Sequence, residues 1–332
     1  MTCITKLCPN SSKTTPSAPP PPPSVIVFGP TGQVGRAAAL AAAHTGAKVY
    51  LGMRDPTKPI PNLSPAQESA LSFTRVAADL NSPASLTAAV TSTGATHAFI
   101  YLIFEMKDFM LAAVTALKAA GITFVVFLSS STITVGIDDV KPTHPISFGH
   151  AQVEKSLREV YGSKGGYVAI RAGYFASNTK LWKGQLAAGV MKIKAPNARF
   201  DFLSAEDIGG VAGTILGKGP GAVEGRSYLE VVGPKLISQR EAAESLGRVL
   251  GRELEFEEAD EEEVVRDIMR DMHCPEPVAS YLSGVFDHRE REDDGMYQGP
   301  EYEEAGKNIE KFLGREPIRF EKWAEENKGL YL

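Results

Sequence analysis

One stretch near the N-terminal end of the chain constrains the fold more than any other. Residues 25–28 form an unbroken apolar run, and a glycine-rich turn at 29–35 follows it directly. The alanine-rich segment 33–44 then has a helical composition, and residues 48–51 form a second apolar run. Unbroken apolar runs of this length are typical of parallel strands that helices cover on both faces. The pattern therefore predicts a complete βαβ unit within about 30 residues.

The same alternation continues as far as residue 170. It predicts further strands at 71–77, 96–102, 122–128 and 167–170, and further helices at 83–91, 108–120 and 151–161. Strands that alternate with helices form parallel sheets, because right-handed crossovers place helices on both faces. The predicted fold class is α/β, with a doubly wound parallel sheet of the Rossmann type.

After residue 171 the alternation becomes irregular. Helices are predicted at 181–188, 205–216 and 238–250, an apolar pair at 202–203, and strands at 228–232 and 254–257. We interpret residues 24–175 as a Rossmann domain and residues 176–332 as a smaller, mixed α/β substrate lobe, elements of which can return to the Rossmann sheet. Residues 1–23, which end in five prolines, are expected to form a disordered leader. The acidic stretch 257–263 is expected to be a solvated helix face.

Composition argues against several classes of partner. The chain has 35 basic and 40 acidic residues, a net charge of -5 and no basic stripe, so nucleic acid is not an expected partner. No apolar stretch reaches the roughly 18 residues that span a bilayer, so no membrane contact is expected. Cys3, Cys8 and Cys274 form no disulfide framework, and no Cys/His spacing suggests a metal site. A reducing, cytoplasmic location is the simplest interpretation.

The glycine-rich turn has the residue types that a bound dinucleotide requires. Gly29 permits a tight turn, Gly32 lets the backbone approach a pyrophosphate, and Gly35 lets the helix pack against the strand. The N–H groups at the start of the following helix, with their partial positive charge, would face the phosphates. A purely structural turn is the alternative. The other members of this predicted site are Thr31, Gln33 and Val34.

The end of the second strand indicates which dinucleotide is bound. A carboxylate there would accept a hydrogen bond from the ribose 2′-hydroxyl of NAD, but the sequence has Arg54 with no acid before it. A guanidinium suits the 2′-phosphate of NADP, because it makes paired, charge-assisted hydrogen bonds. Lys58 can assist, whereas the adjacent Asp55 opposes this interpretation, and a solvated Arg54 is the alternative. The expected cofactor is NADP(H).

Several motifs together carry a resemblance to a known family. They are the turn, Arg54, Ala78-Asp79-Leu80, Arg171-Ala172-Gly173-Tyr174-Phe175, Asp207-Ile208-Gly209 and Leu313-Gly314-Arg315-Glu316-Pro317. With them, the chain after the leader resembles the NmrA-like branch of the atypical short-chain dehydrogenase/reductase superfamily. The resemblance implies positions for five residues: Asp79 and Leu80 by the adenine, Phe104 beside the cofactor, and Tyr174 and Phe175 near the nicotinamide. The family includes NADPH-dependent reductases, fungal secondary-metabolism enzymes and redox-sensing regulators.

The sequence departs from the superfamily at its Tyr-x-x-x-Lys pair. Aligning Glu154 with the glutamate that follows the lysine by four residues places His150 at the lysine position and Ile146 at the tyrosine position. The usual proton donor is therefore expected to be absent. Some NmrA-like reductases share the histidine, so the resemblance implies that dinucleotide binding survives this change.

Three residues are candidates for the chemistry that remains. Tyr101, at the end of the fourth strand, is a candidate proton donor, unless its ring turns into the core. Ser130 closes the fifth strand at the end where open α/β sheets bind ligands, and it can orient a carbonyl. His150 is expected to contact a ribose hydroxyl, with acid catalysis or a capping role as alternatives. Trp182 offers apolar surface to a bulky substrate, or it belongs to the core.

These features lead to three functional hypotheses. The first is an NADPH-dependent reductase of a small, largely apolar metabolite, such as an enone, an iminium or a carbonyl compound, in secondary metabolism. An iminium or an enone needs less acid assistance than a ketone, which suits the missing tyrosine. The second is a redox-neutral isomerase or cyclase that uses Tyr101, His150 or Glu105 as acid or base. The third is a regulator that senses NADP(H) without turning it over.

Overall fold

The computed structural model describes residues 22–257, 259–272, 274–291, 297 and 299–332. Most of the predicted leader, with Cys3 and Cys8, lies outside these residues. The strands are β1 (Ser24–Phe28), β2 (Lys48–Met53), β3 (Thr74–Ala77), β4 (His97–Tyr101), β5 (Phe124–Ser130), β6 (Tyr167–Ala172), β7 (Val190–Lys192), β8 (Arg199–Phe200), β9 (Tyr228–Val231), β10 (Ile237–Ser238) and β11 (Glu255–Glu257). The α-helices are α1 (Gln33–His44), α2 (Pro65–Ala70), α3 (Pro83–Thr93), α4 (Leu111–Ala120), α5 (Pro145–Tyr161), α6 (Lys183–Ala188), α7 (Ala205–Lys218), α8 (Gln239–Leu250), α9 (Glu261–Met272), α10 (Glu276–Arg291), α11 (Gly299–Leu313) and α12 (Phe320–Asn327).

Seven of these strands form one parallel sheet in the order β3-β2-β1-β4-β5-β6-β9. The chain builds outward from β1 to β3 and then continues from β4 on the other side of β1, so that Val25 pairs with both Val49 and His97. This reversal leaves a crevice above the carboxyl ends of β1 and β4, where open α/β sheets bind ligands. The predicted α/β fold with a doubly wound, Rossmann-type sheet is confirmed.

Helices cover both faces of the sheet, which explains the unbroken apolar runs in its strands. Val25 and Val27 of β1 belong to the core shared with α1, α7 and α11, whereas Ile26 and Phe28 belong to the core shared with α3, α4 and α5. None of these four side chains is more than 1 % exposed. Successive side chains of a strand point to opposite faces, so a strand buried on both sides needs apolar residues throughout.

Helix α7 packs directly on the backbone of α1. A Cβ on Gly209 would lie 2.4 Å from the carbonyl oxygen of Val34, and one on Gly213 would lie 2.1 Å from that of Ala38. Both distances are far inside van der Waals contact, so only glycine permits this approach. The packing fixes the position of α1, whose first turn borders the crevice.

The residues after 175 divide between the Rossmann sheet and a separate lobe. Strand β9 pairs in parallel with β6, and α7 and α11 pack on the sheet. The remaining elements build a lobe with its own apolar core, in which Trp182, Phe200 and Trp323 are buried. Two small sheets, β8 with β10 and β7 with β11, contribute to this lobe.

Two helices begin elsewhere than the sequence pattern predicts. Helix α5 begins at Pro145 rather than at residue 151, because proline is favoured in the first turn, where its missing N–H costs nothing. Helix α4 begins at Leu111 rather than at 108, after Met110 in a left-handed conformation with φ of 63°. The Asp108 carboxylate accepts hydrogen bonds from the N–H groups of Met110 and Ala112 at 3.2 and 2.9 Å, and so precedes the helix.

Among the described residues, no group of three or more His, Cys, Asp or Glu side chains could hold a metal ion. None of the described helices combines the length and the apolar character that crossing a bilayer requires.

Candidate active site

A cleft of about 360 Å³ opens beside β1 and β4 at the carboxyl end of the sheet. The glycine-rich turn and the segment that follows β6 both border it. Its lining residues are Gly29, Thr31, Gly32, Gln33, Val34, Gly35, Phe99, Tyr101, Leu128, Phe175, Ser177 and Ala205. The fold thus brings the turn together with apolar side chains from β4, β5 and the segment after β6.

The turn is built by backbone contacts that glycine permits. Gly29 has a left-handed φ of 68°, and its carbonyl oxygen accepts a hydrogen bond from the N–H of Gly32 at 3.0 Å. A Cβ on Gly35 would lie 2.3 Å from the same carbonyl oxygen, whereas a Cβ on Gly32 would meet no atom closer than 3.4 Å. Gly32 therefore presents a bare backbone, although the packing of the chain would accept a side chain there.

Helix α1 begins directly after Gly32, and no side chain in the described part of the chain caps it. Its first turn contains no acidic residue. The first N–H groups of a helix have no intrahelical partner. Gln33, Val34 and Gly35, which carry these groups, line the cleft. Together with the helix dipole, they form a binding place suited to an anion such as a pyrophosphate.

Arg54 lies exposed immediately after β2, and its acidic neighbour is engaged elsewhere. The Asp55 carboxylate accepts hydrogen bonds from the N–H and the hydroxyl of Thr57 at 3.0 and 2.6 Å. These hydrogen bonds lower the pKa of Asp55. Within the part of the chain that the structure describes, Arg54 forms no ion pair. Its guanidinium is therefore available to an external phosphate.

Arg75 of β3 holds the loop that follows Arg54. Its guanidinium donates to the carbonyl oxygens of Pro56 at 2.7 Å and of Lys58 at 2.8 Å, and it pairs with Glu68 at 2.6 Å. The backbone of the loop is fixed by these contacts, while the side chains of Arg54 and Lys58 remain exposed.

Tyr101 borders the cleft, although part of its ring also packs on the core. A Cβ on Gly29 would sit 2.6 Å from Cε1 of Tyr101, so the ring lies against the turn. Burial raises the pKa of Tyr101, while the nearby charge of Arg54 lowers it and that of Asp79 raises it. The phenol therefore holds its proton at neutral pH, near Arg54 and Asp79. Leu80, which follows Asp79, is buried in the core.

His150 projects from α5 between two aromatic rings. Its ring centroid is 6.0 Å from that of Phe104, which is 63 % exposed, and 6.1 Å from that of Phe127. Nδ1 lies 2.8 Å from the carbonyl oxygen of Ile146, which can only accept, so Nδ1 carries the proton. Burial lowers the pKa of His150. Nε2 of the neutral ring is therefore an acceptor, suited to a ribose hydroxyl and unsuited to protonating a substrate.

The serines at the end of β5 are engaged in hydrogen bonds. The Ser130 hydroxyl lies 2.9 Å from that of Thr132. Ser129 donates to Glu154 at 2.6 Å, and Glu154 forms a buried ion pair with Arg171 at 2.8 Å. This network joins β5, α5 and β6, and it fixes the orientation of α5 above the sheet.

The segment after β6 contributes Phe175 and Ser177 to the cleft. The preceding Tyr174 packs instead against Phe200 in the lobe, with 4.2 Å between ring centroids, and burial raises its pKa. Trp182 is 8 % exposed and also belongs to the core of the lobe. Of these aromatic side chains, Phe175 supplies the apolar surface of the cleft.

The structure divides the residues predicted from the sequence into two groups. Eight of them line the cleft: Gly29, Thr31, Gly32, Gln33, Val34, Gly35, Tyr101 and Phe175. Outside the lining residues lie Arg54, Asp79, Leu80, Phe104, Ser130, His150 and Tyr174. Sequence reasoning missed Phe99, Leu128, Ser177 and Ala205. The spacing along β4 gave no usable signal for Phe99, because Phe99 belongs to the core on the α1 side of the sheet whereas the ring of Tyr101 packs on the opposite core.

Comparison with known proteins identifies the relatives of this chain. The family model of the NmrA-like family matches residues 23–324. The chain is 35% identical over 325 residues to the nitrogen metabolite regulation-like protein bik4 of Gibberella fujikuroi, across 92% of this chain and 97% of that protein. It is 25% identical over 233 residues to festuclavine dehydrogenase easG of Aspergillus fumigatus, across 69% of this chain and 72% of that protein.

Solved structures share the fold at lower identity. The NADPH-dependent quinone oxidoreductase QOR2 of Escherichia coli gives a TM-score of 0.65 at 18% identity, across 91% of this chain and 98% of that chain. Triphenylmethane reductase of Citrobacter sp., complexed with NADP(H), gives a TM-score of 0.64 at 16% identity. The match covers 91% of this chain and 99% of that chain. These two likenesses show the fold. The family match over residues 23–324 and the 35% identical relative show in addition that this chain belongs to the NmrA-like family, as its motifs indicated.

Proposed function

We propose that the protein is an NADPH-dependent reductase of a small, largely apolar molecule. The observation that carries the proposal is the cleft, where the uncapped N-terminus of α1 meets apolar surface from Phe99, Leu128 and Phe175. A dinucleotide and an apolar substrate would bind there side by side. A cytoplasmic location and a role in secondary metabolism belong to the same proposal.

The residues present fit NADP(H) better than NAD(H). The first N–H groups of α1 would hold the diphosphate, and the bare backbone at Gly32 leaves room for it. Arg54 would pair with the 2′-phosphate, and Lys58 lies exposed on the same loop. The relatives support this choice, because the quinone oxidoreductase and the triphenylmethane reductase named above are described with NADPH or NADP(H).

The side chains around the cleft would shape the reaction without supplying its proton. When bound, the nicotinamide provides a hydride. Phe175 and Leu128 would give the substrate an apolar surface to pack against, and His150 would accept a hydrogen bond from a ribose hydroxyl at Nε2. With Ile146 and a neutral His150 at the positions of the Tyr-x-x-x-Lys pair, the proton would come from water. An enone or another activated acceptor suits such a site.

Titration of the protein with NADPH tests the proposal. Gly32→Asp should weaken NADPH binding at least about a hundredfold, because the carboxylate would cap the N–H groups and repel the phosphates. The backbone at Gly32 is extended, with φ of -81° and ψ of 157°, and aspartate is a favoured residue at the start of a helix, so the variant should fold.

Gly32→Ala is the matched control. Its Cβ would meet no atom closer than 3.4 Å, so it should bind NADPH far better than Gly32→Asp. Equal NADPH affinity in the parent and both variants would exclude a dinucleotide site at the turn. With binding established, loss of NADPH absorbance in the presence of an enone or a quinone would support turnover.

A second candidate is a regulator that senses NADP(H) without turnover. One observation favours it: the 35% identical relative carries a name that refers to nitrogen metabolite regulation. The test is affinity purification of the protein loaded with either NADPH or NADP+. A protein partner recovered in only one redox state would support the regulator, and equal recovery in both would remove it.

A further inference from the structure

Ser177 carries a cleft hydroxyl that finds no hydrogen-bond partner among the residues that the structure describes. Three lining residues have hydroxyl groups: Thr31, Tyr101 and Ser177. Thr31 belongs to the turn and Tyr101 lies against Gly29, so both lie on the side expected to hold the dinucleotide. Ser177 comes instead from the segment after β6, together with Phe175. Within the described residues its hydroxyl makes no hydrogen bond, so it is free to donate to a ligand.

The segment that carries Ser177 is anchored by distant parts of the chain. The N–H of Ala176 donates to the carbonyl oxygen of Leu203 at 2.9 Å. The Thr179 hydroxyl donates to the carbonyl oxygen of Ala176 at 2.6 Å, which leaves Thr179 only acceptor capacity. Tyr331 therefore donates its phenolic proton to Thr179, at 2.5 Å between oxygens.

This anchor is shielded from water and close to the cleft. Thr179 is 1 % exposed and Tyr331 is 2 % exposed, and a hydrogen bond in such surroundings holds its geometry strongly. Thr179 follows Ser177 by two residues in the same 3₁₀ turn, Ala176–Trp182. The backbone that carries Ser177 is thus held in place before any ligand binds, which reduces the entropic cost of a hydrogen bond from its hydroxyl to that ligand.

We infer that the Ser177 hydroxyl donates a hydrogen bond to a carbonyl oxygen of the substrate, and that the Tyr331–Thr179 contact positions it. The inference rests on the proposed reductase function and names its substrate class, an enone or quinone. A hydroxyl donor needs a lone pair to bind, and a carbonyl oxygen offers one. The nitrogen of an iminium ion has none, so this site selects against the iminium acceptors considered above.

The hydrogen bond would act where charge develops during reduction. When a hydride adds to the β-carbon of an enone, the C=C electron pair moves toward the carbonyl group and its oxygen becomes negative. Water then protonates the α-carbon, so one hydride and one proton account for the product. A fixed hydroxyl beside this oxygen stabilises the transition state more than the substrate. Ser177 contacts the substrate in this scheme, and Thr179 and Tyr331 are positioning residues.

Binding of 1,4-naphthoquinone to the protein loaded with NADP+ tests the inference without turnover, because the oxidised cofactor has no hydride to give. Ser177→Ala should raise the Kd of the quinone about tenfold, the typical worth of one hydrogen bond. Ser177→Thr keeps the hydroxyl and should stay within about threefold of the parent. Tyr331→Phe keeps the buried ring and should raise the Kd of the quinone while the Kd of NADP+ is unchanged. Isothermal titration calorimetry measures all of these values.

Two results would overturn the inference while leaving the proposed function intact. One is equal quinone affinity in Ser177→Ala and the parent, and the other is no quinone binding by an NADP+-loaded parent. Absence of NADP+ binding to the parent is a different result, because it would remove the proposed function and the inference together. If Ser177→Ala does not fold, a Ser177→Thr variant with tenfold weaker quinone binding contradicts the inference equally well.

Discussion

The surroundings of single side chains decide which of them can recognise a ligand. Arg54 is exposed at the end of β2, and Asp55 beside it is bonded to Thr57. A cation without an ion pair among the described residues contributes little to folding, so replacing it should leave the fold unchanged. Its position beside the cleft makes it a recognition residue for the 2′-phosphate in the proposed function.

Arg54→Ala should raise the Kd of NADPH by about 10- to 100-fold, because a hydrogen bond to a charged group is worth about 1.5–3 kcal/mol. The Kd of NADH, which lacks the 2′-phosphate, should change by less than about threefold. Arg54→Lys should fall between the parent and the alanine variant, since it keeps the charge and loses the paired geometry. Calorimetric titration measures each Kd. If Arg54→Ala weakened NADPH and NADH binding by the same factor, Arg54 would not recognise the 2′-phosphate.

Among the elements, α1 and α7 show how one helix is placed by another. Gly209 and Gly213, four residues apart, lie on the same face of α7 and contact the backbone of α1. The contact brings the two helix axes closer than side chains would allow. Helix α1 presents its first N–H groups to the cleft. The two glycines of α7, which is distant in sequence, therefore help to position the anion site.

Gly213→Ala should lower the free energy of unfolding by about 1–3 kcal/mol, because its Cβ would lie 2.1 Å from the Ala38 carbonyl oxygen. Gly306→Ala in α11 is the matched control, as its Cβ would meet nothing within 4 Å. It should raise the free energy of unfolding by about 0.5–1 kcal/mol, since alanine loses less entropy in a helix. Urea unfolding measures the free energy of unfolding of both variants. If both substitutions changed it in the same direction, the close contact between α7 and α1 would not explain the result.

Across the whole molecule, contacts between distant residues tie the sheet, α7 and the C-terminal part together. Asp207 at the start of α7 pairs with Arg315 at 2.7 Å and accepts a hydrogen bond from the N–H of Ile318 at 2.8 Å. His97 at the start of β4 lies with Nδ1 at 2.8 Å from the carbonyl oxygen of Leu216, near the end of α7. The two motifs around Asp207 and Arg315 that suggested the family thus form one contact.

His97 should make stability depend on pH in a defined window. Burial lowers the pKa of His97 below its value of about 6.5 in the unfolded chain. Between the two values the unfolded chain binds more protons, so stability falls as the pH falls. The contribution is complete above about pH 6.5 and is lost as the pH drops through the lower, folded pKa.

Urea unfolding of the parent and of His97→Asn, measured from about pH 7.5 down to about pH 5, isolates this contribution. The asparagine amide can replace the Nδ1–H donor without titrating, so the variant should lose less stability than the parent over that range. Parallel pH profiles for the two proteins would show that His97 does not titrate in the window.

Local sequence by itself determined the parts of this protein that depend on nearby residues. The βαβ unit follows from the pattern of apolar residues and the turn follows from its glycines. The exposed place of Arg54 follows from the end of the second strand just before it. Each of these depends on backbone conformation within a few residues, which local composition controls. The fold class and the family were confirmed, and the cleft contains every residue predicted for the turn.

The tertiary structure alone decided what the side chains around that turn can do. The ring of Tyr101 lies over Gly29, and His150 holds its proton on Nδ1, because of packing and bonds that the sequence pattern does not encode. The anchor of Ser177 joins Thr179 to Tyr331, residues 152 positions apart. The direction of a side chain at a strand end, and contacts between residues so far apart, arise only when the lobe folds onto the sheet. Local periodicity in the sequence therefore cannot predict them.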